Sequence, residues 1–322
     1  MAILSVTFPF FALVLIGYLA ARLRVLPLAA VPGMNTFVLY FALTALLFQL
    51  GANTPIAELL DPVVLGLWTV SGLLIMVLAA VTALRRRLGW LDASFGSLIA
   101  VLPNSGFMGV PLLTALLGAT ANGPIIASLL VDIVVIQSLG VAFSHRGAGE
   151  QHSAWAELKG ALVRMSRNPL PWAIALGGTW GATGLALPEP VDHVITLLAA
   201  AATPVALFTI GAVLAREQGN KPPGRIRSGV RAFGDVYWLA ALKLLAHPLF
   251  VWLLGTAAIA AGLPLRESAL TVLVLAAALP AAANVSMLAE RFGADNGRVA
   301  RVILVSTLLS FVTFSAAVAL LT

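Results

Sequence analysis

The sequence predicts an all-α polytopic membrane protein whose ten transmembrane helices form two inverted five-helix repeats with broken crossover helices. Three observations predict it. Of 322 residues, 60% are hydrophobic and 10% charged, with a mean hydropathy of +1.01, which no soluble domain matches. The basic residues gather in alternate loops. Two apolar runs are interrupted by a Leu-Pro pair, Leu102-Pro103 and Leu279-Pro280, 177 residues apart.

At about 20 residues per crossing, the chain holds roughly ten spans with short connections and no large extramembrane domain. The apolar runs place them near 5–22, 33–52, 62–84, 92–118, 121–144, 168–185, 191–215, 232–262, 267–290 and 298–321. The first run lacks the basic region and cleavage site of a signal peptide and reads as a retained span. The eighth is over-long for one crossing and predicts an interfacial turn. Loops after odd-numbered spans carry seventeen of the nineteen basic residues, while the even loops hold Glu58, Asp61, Glu189, Asp192 and Glu267 with Arg266 as their one base. The positive-inside rule then puts the odd loops in the cytoplasm and both termini on the outer side of the cytoplasmic membrane. The same rule accounts for the net charge of +6, so the basic balance does not imply nucleic acid. Lys243 is the one base within a span. Its position fits a stem snorkelling towards the headgroups, with a structural pairing to Asp132 as the alternative.

Cysteine is absent, which excludes disulfides, thiol chemistry and Cys-ligated metals. The four histidines have no metal-ligand spacing, and the spans hold no nucleophile–base pair or phosphate loop. The sequence therefore implies neither an enzyme nor a cofactor. In the linker 145–167, Trp155, Leu158, Leu162 and Met165 share one face at helical spacing, which predicts an interfacial helix between the two halves. Lys221-Pro222-Pro223-Gly224 reads as a basic connector.

The central element is Leu102-Pro103-Asn104-Ser105-Gly106-Phe107-Met108-Gly109-Val110-Pro111. Pro103 removes an N–H and crowds the carbonyl one turn back, so the fourth span breaks there. A mid-membrane break is tolerated where its freed backbone lines a protein cavity. The half-helix beyond it then points its free N–H groups and positive dipole end at that cavity. This is the composition of an anion site in a transporter. Leu279-Pro280-Ala281-Ala282-Ala283-Asn284 repeats the break in span nine, and paired interruptions in two halves mark a transporter's central site.

Other matches follow in order along the chain. Gly17 lies ten residues before Pro27, and Gly178 ten before Pro188; Leu47-Phe48-x-x-Gly51 matches Leu207-Phe208-x-x-Gly211. Residues 1–144 and 168–322 thus read as two copies of one unit. An odd number of crossings per copy inverts the second, and inverted repeats with broken helices imply alternating access.

At these residues the sequence resembles the auxin efflux carrier family, which includes the plant PIN carriers and bacterial malonate transporters. The resembling motifs are Leu102-Pro103-Asn104 with Met108-Gly109-Val110-Pro111-Leu112-Leu113, and Leu279-Pro280-x-x-x-Asn284 with Leu288-Ala289-x-x-Phe292-Gly293-Ala294-Asp295. The run Val305-Ser306-Thr307-Leu308-Leu309-Ser310 also fits. The resemblance implies a ten-helix fold similar to Na⁺/H⁺ antiporters and bile-acid symporters. It divides the chain into a scaffold of spans 1–2 and 6–7 and a transport domain of spans 3–5 and 8–10, moving like an elevator. It also implies small organic anions as substrates, malonate-like or auxin-like, and a homodimer. The long loop of the plant carriers is missing here, so regulation through that loop is not expected.

The candidate substrate contacts are Pro103, Asn104, Ser105 and Gly106 at the first break, and Pro280, Ala283 and Asn284 at the second. Two asparagines with converging dipole ends attract an anion without a permanently buried cation; the alternative is that each asparagine only caps its own half-helix. Span two faces the crossover in the resembling fold, which adds Tyr40 and Thr44, and Gln137 on span five is a further candidate. Asp132, an acid in mid-span, is the candidate for H⁺ or Na⁺ coupling, against a purely structural role. A cation-coupled symporter, an antiporter or a channel of the same fold stands as the alternative function.

Overall fold

The computed structural model describes residues 2–145, 160, 163, 166, 168–219 and 230–322. Most of the linker 145–167, with its expected interfacial helix, and the Lys221-Pro222-Pro223-Gly224 connector lie outside these residues. The described residues form helices joined by short turns, with one isolated β-bridge. Among the described residues six helices are long and apolar enough to cross a bilayer, and Phe8–Arg22 of the first helix, Trp90–Val101 and Glu267–Ala277 are shorter apolar stretches. The protein is a polytopic all-α membrane protein.

Helix boundaries follow from local chemistry. α1 (Ala2–Arg22) ends with Arg22 at its negative dipole end. α2 (Leu28–Ala52) starts in a tight turn after Pro27 and contains a π turn at Val38–Ala42. α3 (Pro62–Arg85) has proline at its first position, and Asp61 Oδ1 accepts from the amides of Val63 and Val64 at 2.9 and 3.1 Å. α4 (Trp90–Val101) stops one residue before Leu102-Pro103. A π turn at Ser105–Gly109 then leads into α5 (Val110–Leu117). α6 runs through Asn122–Val131, a π turn at Asp132–Ile136, and Gln137–His145. α7 (Pro169–Thr183) is capped by Asn168, and α8 spans Glu189–Gly219.

The eighth apolar run differs from expectation. α9 continues through Val230–Ala241, a π turn at Leu242–Ala246 and His247–Ala260, with no interfacial turn. Pro248 lacks an N–H and crowds the carbonyl one turn back. The wider π turn before it absorbs both faults without ending the helix. α10 (Glu267–Ala277), α11 (Asn284–Phe292) and α12 (Asn296–Leu321) complete the chain.

Two helix pairs are held by glycines. A Cβ on Gly17 would collide with the Phe208 carbonyl of α8, and one on Gly211 with the Val14 carbonyl of α1. In the other pair, a Cβ on Gly177 of α7 would collide with the Phe48 carbonyl, and one on Gly51 would lie 2.9 Å from the Ile174 carbonyl. Shifting Gly17 and Val14 forward by 160 positions gives Gly177 and Ile174, and shifting Phe208 and Gly211 back by 160 gives Phe48 and Gly51. The α1–α8 contact and the α2–α7 contact are one arrangement made twice, with the halves exchanged. Gly177, one residue before the glycine matched by sequence, takes the place of Gly17. Backbones this close cannot admit a methyl group, so Gly17→Ala should destabilise the protein by about 1–3 kcal/mol through overpacking. Gly33, with open space where its Cβ would stand, is the control. Thermal unfolding in detergent should show Gly33→Ala unchanged or slightly raised, and equal melting of the two variants would contradict the packing.

Arg298 at the start of α12 joins several elements. Its Nε donates to Asp235 of α9 at 2.5 Å and its Nη1 to the Asp92 carbonyl of α4 at 2.7 Å. Arg86, just past α3, adds a looser contact to Asp235 at 3.4 Å. Three helices, α12, α9 and α4, therefore meet at one guanidinium.

Candidate functional site

The two breaks meet. Leu102 leaves α4 in an extended conformation, and Pro103 lies opposite Ala281 in an antiparallel bridge. The Asn104 amide donates to the Pro280 carbonyl at 2.9 Å, and the Ala282 amide donates to the Leu102 carbonyl at 3.0 Å. Neither proline has an N–H to satisfy, so this register uses the donors the prolines leave. The Ala281 amide donates instead to Ser306 Oγ of α12, at 3.1 Å. Buried breaks in two separate helices thus answer each other's backbone groups.

The half-helix ends are also provided for. Lys243 of α9 is fully buried and its Nζ donates to the Ala277 carbonyl, at the C-terminal end of α10, at 2.6 Å. The snorkelling expected for Lys243 is therefore overturned: the ammonium sits against the negative end of a broken helix, where free carbonyls replace headgroups and water. Nζ also lies 3.3 Å from His247 Nδ1. The His247 ring packs on Trp68 with centroids 5.2 Å apart, and Trp68 Nε1 donates to Asp132 Oδ1 at 2.9 Å. Asp132 lies within electrostatic reach of Lys243. Its second oxygen, Oδ2, is buried with no hydrogen-bond partner.

At the opposite ends, Asn104 precedes the Ser105–Gly109 turn, and its carbonyl accepts from the amides of Met108 and Gly109, both at 3.0 Å. Its side chain makes no capping bond. Asn284 opens α11 one place after the capping position, held by Ala283. Neither asparagine side chain serves as a helix cap. Asn104 is buried and Asn284 exposed.

Both border one cavity of about 150 Å³, small beside the roughly 300–1,000 Å³ usual for drug-sized ligands. Pro103, Asn104, Gly106 and Ala283 line it, with Gln137 and Asp132 from α6. Among the described residues, Asp132 is its one ionisable lining residue. Ser105 and Pro280 do not line it; the Ser105 hydroxyl is buried and unpartnered. Tyr40 and Thr44 are also outside the wall. Tyr40 is half exposed, and the Thr44 hydroxyl donates to the Leu39 carbonyl at 2.8 Å, within the π turn. The face of α2 that meets the crossover is Asn35, Leu39 and Leu43, one residue round the helix. Sequence reasoning missed Asn35 and Asn168, and also Ala206, Ile210 and Val213 of α8. Asn168 carried a weak signal as an amide at a helix start; Asn35, inside α2, and the apolar α8 residues carried none.

The family profile of membrane transport proteins matches residues 2–318, nearly the whole chain. The chain belongs to the auxin efflux carrier family. A putative malonate transporter of Rhizobium meliloti (strain 1021) is 28% identical over 313 residues, covering 97% of this chain and 93% of its own. Auxin efflux carrier component 8 of Arabidopsis thaliana is 26% identical over 272 residues, covering 67% of this chain and 72% of its own. An uncharacterized transporter of Methanothermobacter thermautotrophicus is 26% identical over 309 residues, covering 94% and 92%. As an auxin efflux carrier family member the protein is a multi-pass membrane transporter, not an enzyme. The motifs that carried the resemblance, Leu102-Pro103-Asn104 and Leu279-Pro280, are the residues that cross in the structure.

Proposed function

We propose that this carrier is a secondary transporter of small organic anions, of the malonate-like or auxin-like class, working by elevator-type alternating access. The observation that carries this reading is the crossover cavity. Two half-helix N-termini and two asparagines without capping duties border one small space. That combination binds a carboxylate through amide donors and dipole ends. The cavity lies between α2, α7 and α8 on one side and the crossover on the other, which supports a scaffold of α1, α2, α7 and α8 against a moving body of α3–α6 and α9–α12.

The reciprocal glycine contacts support ten spans in two inverted repeats, divided as 1–144 and 168–322. Asn168 in the cavity wall follows the basic linker and Asn35 lies in the half of α2 nearest the loop of Arg22 and Arg24, which supports an inward-facing conformation in a cytoplasmic membrane with both termini outside. The unpartnered Asp132 oxygen beside the cavity supports a role for this acid in H⁺ or Na⁺ coupling. A homodimer is carried over from the family resemblance.

Counterflow of labelled malonate into proteoliposomes, competed by a panel of carboxylates including indole-acetate, tests the reading. Hydrogen bonds to charged groups contribute about 1.5–3 kcal/mol. Asn104→Ala and Asn284→Ala should each lower exchange by roughly 10- to 100-fold, since 1.4 kcal/mol is tenfold. Exchange at the wild-type rate would remove the asparagines from the site. Wild-type protein that moves no carboxylate would remove the organic-anion reading, and flux without counterflow would indicate a channel.

A further inference from the structure

We propose that Arg291 is the charge-selecting residue of the access path, favouring dianionic over monoanionic substrates. This rests on the organic-anion reading of the crossover site. A second cavity adjoins the first and shares Leu102, Gln137 and Asn284 with it; its remaining walls are Val285, Leu288 and Arg291. Asn284, Leu288 and Arg291 stand at i, i+4 and i+7 on α11, so one helix face runs from the crossover to the guanidinium. At 1.5 Å per residue Arg291 lies about 10 Å beyond Asn284. It is exposed, and no ion pair is described for it among the described residues.

The need for such a charge follows from the site itself. Among the described residues the crossover cavity is walled by one ionisable side chain, Asp132, whose charge repels an anion when ionised. Lys243 is turned away from the wall, its ammonium committed to the Ala277 carbonyl. Arg291 is the basic side chain that lines the connected space. A guanidinium keeps its charge at every accessible pH. Over a distance near the screening length of about 8 Å, it attracts a dianion with twice the energy of a monoanion, so the affinity gain for the dianion is the square of the other.

Malonate and its monomethyl ester differ in charge at nearly constant shape. Binding of each to the full-length purified protein, by competition with labelled malonate, therefore isolates the charge. Arg291→Gln should weaken the monoester about threefold and malonate about tenfold, the square expected from a point charge at this distance. Arg291→Lys should keep both affinities near wild type, and added salt should weaken wild type but not Arg291→Gln. Equal losses for both ligands, or equal damage from Arg291→Lys, would overturn the proposal in favour of a charge that only steadies the end of α11. Unchanged affinities in Arg291→Gln would also overturn it. Wild-type protein that binds neither ligand would defeat the organic-anion reading, and this inference with it. Because Arg291→Lys separates charge from packing, a folding defect in Arg291→Gln alone does not decide the outcome.

Discussion

Replacing Lys243 by methionine should lower the melting temperature by about 5–10 °C and abolish exchange. The ammonium is fully buried and holds the Ala277 carbonyl at 2.6 Å, where α10 stops short of the crossover. Methionine nearly matches the stem but donates nothing, so a carbonyl at a helix end loses its partner within the membrane. Asp132 also loses a buried base within its electrostatic reach. Removing one member of a buried charged arrangement costs about 3–5 kcal/mol. Near 2 °C per kcal/mol for a chain of this size, that gives the stated shift. Asp132→Asn alone should cost less, because Trp68 Nε1 still finds a side-chain oxygen. The double variant Lys243→Met/Asp132→Asn should recover part of the loss, and the size of the recovery measures the coupling. Thermal unfolding of the four proteins in detergent completes the cycle. Strict additivity would show that the two charges act independently, and wild-type melting of Lys243→Met would remove Lys243 from the crossover's support. Exchange by Asp132→Asn that keeps its full dependence on a proton or sodium gradient would exclude Asp132 as the coupling residue.

Arg298→Met should be about as damaging to stability, at a residue that lines neither cavity. Its guanidinium contacts Asp235 at 2.5 Å and the Asp92 carbonyl at 2.7 Å. Gly96 leaves the space it occupies, since a Cβ there would lie 2.9 Å from Nη1 and Nη2. Without the guanidinium, Asp235 keeps, among the described residues, only Arg86, which is half exposed and 3.4 Å away. Such exposed contacts contribute little, about 0–1 kcal/mol. Asp235 would then be a nearly unpaired buried carboxylate, at a cost of about 3–5 kcal/mol. Adding Asp235→Asn should restore much of the stability, because the lost term is a stranded charge rather than packing. Melting of the single and double variants tests this, and a double variant no more stable than Arg298→Met would assign the loss to packing against Gly96.

Composition and pattern were sufficient for the membrane class, the helix positions and the two breaks. Those properties depend on the chain's immediate chemistry: apolar length sets a span, and a proline after an apolar turn ends it. Pro103 and Pro280 could be named as interruptions for that reason. Glycines at helix contacts were also legible in the sequence, but which of Gly177 and Gly178 meets the Phe48 carbonyl was not. What only the tertiary structure decided is which groups the breaks present to one another. The three alanines after Pro280 give no sign of register; the pairing of Pro103 with Ala281 and the hydrogen bond from Ala281 to Ser306 depend on a helix 25 residues away. The face that α2 turns to the cavity depends on packing against α7 and α8, so Asn35 and Leu39 line it while Tyr40 and Thr44 do not. Lys243 shows the same limit. A lone base in an apolar span is drawn to the nearest water by its own solvation, and only the free carbonyls of a helix broken elsewhere in the chain offer it a better partner inside.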